Sequence, residues 1–139
     1  MEIIRIVIKS ESGYVPMEQA YSEKLTLTES SIKYVYKQAS SNTASENRSR
    51  KWSYSTDSDL FKKIYKQVAE MTLKYLKRDD LDFIMDVSPI EVIATFDDRH
   101  RESITLYCTC DDLLEYFDLI KKMIPKIEEL PKMFISGKT

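Results

Sequence analysis

Apolar and polar residues alternate along short stretches of the N-terminal half, which is the pattern of strands that bury one face. Residues 2–9 are rich in isoleucine and valine, and residues 24–28, 32–37 and 51–55 alternate apolar with polar side chains. A Ser-, Asn- and Arg-rich stretch without periodicity, residues 39–50, separates the last two. These patterns predict four strands, with a long hairpin loop between the third and the fourth.

Two stretches carry apolar residues at the three- and four-residue spacing of an amphipathic helix. The first covers residues 57–77 and the second covers residues 110–124. Their apolar stripes are Phe61, Ile64, Tyr65, Val68, Met71 and Tyr75, and Leu113, Phe117, Ile120, Met123 and Ile124. Each helix is preceded by a capping-box pattern in which aspartate replaces the usual glutamate or glutamine. The pairs are Thr56 with Asp59 and Thr109 with Asp112.

Between the helices, the pattern of alternation returns. Residues 81–87, 90–96 and 102–108 predict three more strands. The order strand-strand-strand-helix therefore occurs twice, and residues 52–71 align with residues 104–123 without a gap. This arrangement predicts an internal duplication.

The predicted fold class is α+β, with a mainly antiparallel sheet built from two tandem βββα units plus an N-terminal strand. Both helices are expected to cover one face of the sheet. The 139 residues suit a single domain, residues 1–139. Its first unit spans 23–77, its second spans 81–124, and residues 125–139 form a C-terminal tail in which Met133-Phe134-Ile135 are expected to dock.

Strand side chains point alternately to opposite faces, so parity separates buried from exposed positions. In DDLDFIMD, residues 79–86, the side chains of Leu81, Phe83 and Met85 share one face, and those of Asp80, Asp82, Ile84 and Asp86 share the other. The inward set is predicted to be Leu25, Leu27, Ile32, Tyr34, Tyr36, Trp52, Tyr54, Ile90, Val92, Ala94 and Phe96. The outward set is predicted to be Lys24, Thr26, Lys33, Val35, Lys37, Lys51, Glu91, Ile93, Thr95 and Asp97.

Charge is distributed unevenly along the chain. Between Asp79 and Asp118 there are twelve acidic residues and two basic ones, a net charge of −10, which leaves +8 on the rest of a chain whose total is −2. Concentrated charge directs association toward complementary surfaces. We therefore expect the acidic segment to bind a basic protein surface, such as that of a nucleic-acid-binding protein. The candidate contact residues are Asp80, Asp82, Asp86, Glu91, Asp97, Asp111, Asp112, Glu115 and Asp118.

Candidate catalytic and metal-binding patterns are weak. Alternate carboxylates of a strand lie about 7 Å apart, which is too far for one ion. His100, the only histidine, is expected to be a solvated turn residue, since no strained nucleophile turn accompanies it. Cys108 and Cys110 are one residue apart, which suits neither a disulfide nor a zinc knuckle. The expectation is a protein without catalytic residues, metal or cofactor.

Location and assembly follow from the same composition. Reduced cysteines favour the cytoplasm, the N-terminus lacks the pattern of a signal peptide, and no stretch approaches the roughly 18 apolar residues of a membrane span. Unpaired strand edges in a half-covered sheet favour a homodimer.

Two other functions remain open. Nucleic acid is one alternative ligand, because Arg48, Arg50 and Lys51 adjoin aromatic residues and because lysines decorate the first helix. Those lysines are Lys62, Lys63, Lys66, Lys74 and Lys77. A small molecule is the other, because Tyr34, Tyr36, Trp52 and Tyr54 are candidates to line a cleft between sheet and helix.

The stretch VIKSESGYVPMEQAYSEKLTLTESSIKYVY, residues 7–36, resembles uncharacterised small proteins of anaerobic Gram-positive bacteria and their phages. In size and charge separation the chain also resembles small phage-encoded inhibitors such as anti-CRISPR proteins, some of which present carboxylates where the target expects phosphates. These resemblances imply a non-enzymatic protein-binding module that acts as an inhibitor, and they transfer no site residue.

Overall fold

The computed structural model of the chain describes residues 2–11, 21–38, 50–77, 90–106 and 111–125. Its strands are β1 (Ile3–Glu11), β2 (Tyr21–Leu27), β3 (Ser31–Gln38), β4 (Arg50–Ser55), β5 (Ile90–Phe96) and β6 (Arg101–Leu106). Its helices are α1 (Asp59–Leu76) and α2 (Asp111–Lys121). The α+β class and the antiparallel sheet are thus confirmed.

The six strands form one sheet in the order β4-β3-β2-β1-β5-β6, with every neighbouring pair antiparallel. The N-terminal strand β1 lies in the middle rather than at an edge. Its residue Ile8 is the Cα partner of Leu25 on one side and of Val92 on the other. The short hairpins β2–β3 and β5–β6 flank β1, because antiparallel strands need only a tight turn between them.

The central position of β1 corrects one predicted pairing. The prediction of tandem βββα units implies that residues 81–87 form a hairpin with the strand at 90–96, as the second copy of the β2–β3 hairpin. That strand, β5, is bonded to β1 along one edge and to β6 along the other, and a strand has only two edges. No edge of β5 is left for a further hairpin partner. Residues 81–87 themselves lie outside the described part of the chain.

The core lies on the face of the sheet to which the predicted inward side chains point. Ile6, Ile8, Leu25, Leu27 and Val92 are fully buried there. Five of the six residues of the predicted stripe of α1 join the same core: Phe61, Ile64, Tyr65, Val68 and Tyr75. The sixth, Met71, is only half-buried, and its neighbour Thr72 is buried instead. From α2, Tyr116, Phe117 and Ile120 contribute.

The start of α1 differs from the predicted capping box. The N-cap is Ser58, whose hydroxyl oxygen accepts a hydrogen bond from the backbone N–H of Phe61 at 3.4 Å. Thr56 lies two residues earlier, and its hydroxyl oxygen accepts from the Ser58 N–H at 3.1 Å. Serine is preferred to threonine in this role, which agrees with Ser58 rather than Thr56 as the cap. The predicted cap at Thr109 and the predicted docking of residues 133–135 lie outside the described residues.

Two buried hydroxyl groups connect the helices to the rest of the fold. Tyr65 of α1 donates a hydrogen bond to the carbonyl oxygen of Ile3 at 2.9 Å. Thr72 of α1 donates to the carbonyl oxygen of Val68 at 2.8 Å and lies 2.9 Å from the hydroxyl of Tyr116 in α2. Because the one proton of Thr72 is already used, Tyr116 is the donor in the second bond. Burial raises the pKa of Tyr116 well above its ordinary value, which keeps this donor protonated.

Neither helix of the described chain has the length and apolar character needed to cross a membrane.

The substitution Tyr116→Phe tests the link between the helices. It removes the donor to Thr72 and leaves a buried hydroxyl oxygen with one bond fewer, so we expect the free energy of unfolding to fall by about 1 kcal/mol. Urea denaturation measures this change. The matched control is Tyr54→Phe, since the side chain of Tyr54 is 40% exposed and its hydroxyl reaches water. Equal effects of the two substitutions would show that the Thr72–Tyr116 bond contributes nothing.

Candidate functional site

The face of the sheet opposite the core carries most of the positive charge of the described strands. In β1, Ile6 and Ile8 point into the core, so Arg5, Val7 and Lys9 point out of it. A groove of about 490 Å³ lies on this open face. Among the described residues, five basic side chains and no carboxylate line it: Arg5, Lys9, Lys24, Lys33 and Arg101. We call these five residues the basic face.

Strand pairing places several of these charges side by side. Lys9 in β1 and Lys24 in β2 are Cα partners, so their side chains leave the same face at neighbouring positions. Lys33 in β3 is one diagonal step from Lys24, because its own partner is Thr26. Like charges directly opposite each other destabilise a sheet. Within the described part of the chain, no ion pair neutralises either lysine.

A second group of positive charges lies further along β1. Arg5 has Thr95 as its Cα partner, and Thr95 has Arg101 on its other side. One small residue therefore separates the two arginines. The position of Arg101 is set by the β5–β6 turn, since Arg101 is the first residue of β6. Two clusters of bases thus border the groove, the Lys9–Lys24 pair and the Arg5–Arg101 pair.

The floor between the two clusters is made of short side chains. Val7, Thr26, Ile93 and Thr95 are half-buried there. The described part of the lining contains hydroxyl and aliphatic groups but no aromatic ring. Such a surface is suited to hold oxygen-rich anions by charge, because it offers no platform on which a flat ring could stack.

The sequence pattern predicted only part of the basic face. Lys24 and Lys33 were predicted to point outward, and both are exposed. Arg5, Lys9 and Arg101 were not singled out. The signal was present in residues 2–9, where Arg5 and Lys9 alternate with Ile6 and Ile8. Parity applied to that strand places both on the face of Lys24.

The predicted acidic contact residues fall in several places. Asp80, Asp82 and Asp86 lie outside the described residues, and the positions of the Asp111 and Asp112 side chains in α2 are not described. Glu91 is on the open sheet face, as the Cα partner of Lys9. Glu115 and Asp118 are exposed on α2, whose buried side chains belong to the core. The structure does not bring Glu91 together with Glu115 and Asp118 on one surface.

Asp97 has a local structural role in the turn between β5 and β6. Its carboxylate accepts a hydrogen bond from the backbone N–H of Glu2 at 3.3 Å, and its own N–H donates to the carbonyl oxygen of Glu2 at 2.9 Å. These bonds fasten the turn to the residue that precedes β1. Asp97 is exposed, so this attachment leaves its second carboxylate oxygen open to solvent.

His100 closes the same turn, and its ring contacts other side chains of the protein and not solvent alone. Its ring stacks on Phe96, with centroids 4.5 Å apart and planes 2° from parallel. The ring nitrogen Nε2 lies 2.9 Å from a carboxylate oxygen of Glu102, and Nδ1 bonds the carboxylate of Asp98. These hydrogen bonds, the one to Glu102 first, raise the pKa of His100 above its ordinary value. Hydrogen bonds from the backbone N–H of His100, at 3.1 Å, and then from its ring lower the pKa of Asp98.

Arg99 has a φ of 74°, a left-handed conformation that costs a non-glycine residue some backbone energy. The hydrogen bond from the Arg99 N–H to the carbonyl of Phe96 at 2.8 Å accompanies it. The stacking of the His100 ring on Phe96 and its hydrogen bonds to two carboxylates offset this cost. The turn therefore holds Arg101, which follows it, at the start of β6.

The other predicted sites are less developed. Tyr34 and Tyr36 are buried in the core and line neither of two grooves that the described residues form. Trp52 is half-buried against Tyr34, and Tyr54 borders a groove of about 250 Å³ beside the start of α1. Tyr54 was predicted to be buried, but at the edge strand β4 its ring meets only the edge of Phe61 and stays 40% exposed. Arg48, Cys108 and Cys110 lie outside the described residues.

Among residues 2–11, 21–38, 50–77, 90–106 and 111–125, no group of three His, Cys, Asp or Glu side chains is arranged to hold a metal ion. Asp98, His100 and Glu102 form a hydrogen-bonded chain rather than a ligand cluster, because the imidazole lies between the two carboxylates.

The chain matches no protein-family model and no curated protein. Its function is therefore inferred from the geometry and the charge of the described residues.

The substitution Lys24→Gln tests whether the lysines of the basic face repel each other. Removing one of two opposed charges is expected to raise the free energy of unfolding by about 0.2–1 kcal/mol at low salt. The gain should disappear near 1 M salt, where the Debye length is about 3 Å. Lys37→Gln is the matched control, because the Cα partner of Lys37 is the uncharged Ser22. A gain of the same size in the control would refute the repulsion.

The pH dependence of stability tests the His100 turn. Because the folded pKa is raised, the stabilisation is complete below the ordinary histidine pKa of about 6.5 and is lost as the pH rises through the folded value. His100→Gln should therefore lower stability more near pH 5.5 than near pH 8.5, as measured by urea denaturation. The double variant Asp98→Asn, Glu102→Gln should remove this difference. A penalty for His100→Gln that is equal at both pH values would contradict the proposed bonding.

Proposed function

We propose that this chain is a non-enzymatic binding protein whose basic face holds the phosphate backbone of a nucleic acid. The observation that carries the proposal is the Lys9–Lys24 pair. Two directly opposed positive charges lower the stability of the free protein. A bound polyanion turns the same charges into favourable contacts, because each lysine then meets a phosphate instead of another lysine.

The composition of the groove supports a phosphate backbone as the ligand. Arg5 and Arg101 are guanidinium groups, which match the planar oxygen pairs of phosphate better than an ammonium does. Lys9, Lys24 and Lys33 add point charges over the rest of the groove. The hydroxyl groups of Thr26 and Thr95 are further donors to phosphate oxygens.

The arrangement of the helices supports an open binding face. We propose that α1 and α2 both cover the face opposite the basic face, in keeping with two βββα-like units. The core side chains of both helices belong to the cluster that contains Ile6 and Ile8. The groove is lined by strand and turn residues, from Lys33 of β3 at one side to Arg101 of β6 at the other. An extended ligand then meets neither α1 nor α2 on its way along the sheet.

Docking of the acidic segment on a basic partner, in the manner of a phage-encoded inhibitor, stays a prediction. Glu115 and Asp118 support it, since they are exposed three residues apart on one flank of α2. Asp118 is also within 3.8 Å of Lys121, which reduces the local charge. The two proposals involve different sides of the core, so one protein is able to use both surfaces.

The proposal is tested with two matched triple variants. Lys9→Gln, Lys24→Gln, Lys33→Gln neutralises the basic face, and Lys63→Gln, Lys66→Gln, Lys74→Gln removes three exposed charges from α1. Fluorescence anisotropy with labelled oligonucleotides, both single-stranded and duplex, measures the dissociation constant. We expect the first variant to bind at least about tenfold more weakly, because several phosphate contacts are lost together. The second variant has the same net charge and should bind nearly as the wild type does.

Two results would contradict this proposal. A larger loss in the α1 variant would assign binding to the first helix instead. Undetectable binding of every oligonucleotide by the wild type at low salt would exclude nucleic acid as the ligand. Thermal melting shows that the variants are folded, and the sheet variant should melt no lower than the wild type.

A further inference from the structure

We infer that the basic face is built for double-stranded DNA, which it grips by the phosphates of both strands without reading the bases. This inference rests on the proposed function and specifies its ligand. Three features of the open sheet face lead to it: the lack of aromatic rings among the described residues of the groove, the distance between the two clusters of bases, and the short side chains of the floor between them.

The absence of rings argues against a single strand. Proteins that bind single-stranded nucleic acid without sequence preference stack bases on aromatic side chains, and each stacked base contributes substantially to affinity. Among the described residues, no aromatic side chain lines the groove. In the described strands, Tyr34, Tyr36 and Trp52 all have the inward parity and pack in or against the core. The bases of a duplex are already stacked on each other, so a duplex binds such a face without needing aromatic side chains.

The distance between the clusters fits two phosphate strands. Lys9 and Arg5 are four residues apart on β1, which corresponds to about 13 Å along the strand. Strand pairing adds Lys24 beside Lys9, and Arg101 one strand beyond the partner of Arg5. The major groove of B-form DNA is about 12 Å wide between its two backbones. One cluster is therefore able to contact each backbone.

The floor explains why the bases are not read. Val7, Thr26 and Thr95 are too short to reach base edges in a groove about 8.5 Å deep. A sheet that bridges the groove in this way contacts phosphates only, so its affinity is independent of sequence and strongly dependent on salt. Glu91, the Cα partner of Lys9, borders the site and limits the polyanion on that side.

The test compares a labelled 20-bp DNA duplex, its two separated strands, and the RNA duplex of the same sequence, a length of about two helical turns. Fluorescence anisotropy gives the dissociation constant between about 50 and 200 mM salt. For five phosphate contacts the expected slope of log K against log salt is about −4.5, a loss of affinity of about 500-fold over that range. The DNA duplex should bind more tightly than either single strand and more tightly than the RNA duplex. A second DNA duplex of scrambled sequence should bind equally well.

Two double variants test the contact with both backbones. Lys9→Gln, Lys24→Gln removes one cluster, and Arg5→Gln, Arg101→Gln removes the other. Each pair should reduce the slope by about two, because each residue accounts for about one phosphate. If the arginine pair leaves the slope unchanged, the protein contacts one backbone only and the two-strand geometry is refuted.

The outcomes separate this inference from the proposed function. Equal or tighter binding of single strands refutes the preference for a duplex but keeps nucleic acid as the ligand. Tighter binding of the RNA duplex refutes DNA in the same way. Vesicles with 30% anionic lipid are the remaining arm: binding to vesicles without binding to any oligonucleotide refutes both the inference and the proposed function.

Discussion

The pairing of β1 on both of its edges is the constraint on which the rest of the structure depends. Without β1 the β2–β3–β4 meander and the β5–β6 hairpin share no hydrogen bonds, because each pairs only with β1 across the gap. The same strand places Ile6 and Ile8 at the centre of the core. Its alternation then forces Arg5 and Lys9 to the opposite face. Core packing and the presentation of charge therefore both depend on the position of one strand.

The fold tolerates the repulsion between lysines on the open face because the burial of apolar side chains contributes more free energy than the repulsion costs. Each fully buried isoleucine, leucine or valine of the core contributes about 1.5–3 kcal/mol relative to an exposed position, whereas one pair of opposed lysines costs a fraction of that. Several buried side chains on each strand, such as Leu25 and Leu27 of β2, fix the register. The lysines cannot relieve their repulsion by a shift of one residue, since that shift would expose the core. The positive charge is thus retained in the free protein.

Local pattern predicted the elements of this fold well, and long-range pairing is where it failed. The bounds of β5 and the apolar stripe of α1 follow from alternation and helical spacing, which are properties of neighbouring residues. The order of the strands in the sheet depends instead on which strands pair with each other, and the paired strands β1 and β5 are distant in sequence. The alternation around Ile6 and Ile8 is compatible with any partner strand that has one apolar face. The pattern therefore could not predict that β1 lies in the centre of the sheet, or that β5 pairs with β1 instead of with residues 81–87. The basic face needed the strand order too, because Arg101 lies far from Lys9 in sequence.

The uneven charge of the chain also gains a physical role from the position of the basic face. A polyanion is attracted by Lys9 and Lys24 and repelled by Glu91, the Cα partner of Lys9. Glu102 is the Cα partner of the buried Ala94, so it leaves the sheet on the core face and not on the basic face. Glu91, next to Lys9, therefore borders the basic face, whereas Glu102 does not. A carboxylate on one border makes the field of the basic face directional, because a polyanion is repelled on that side and attracted along the lysines and arginines.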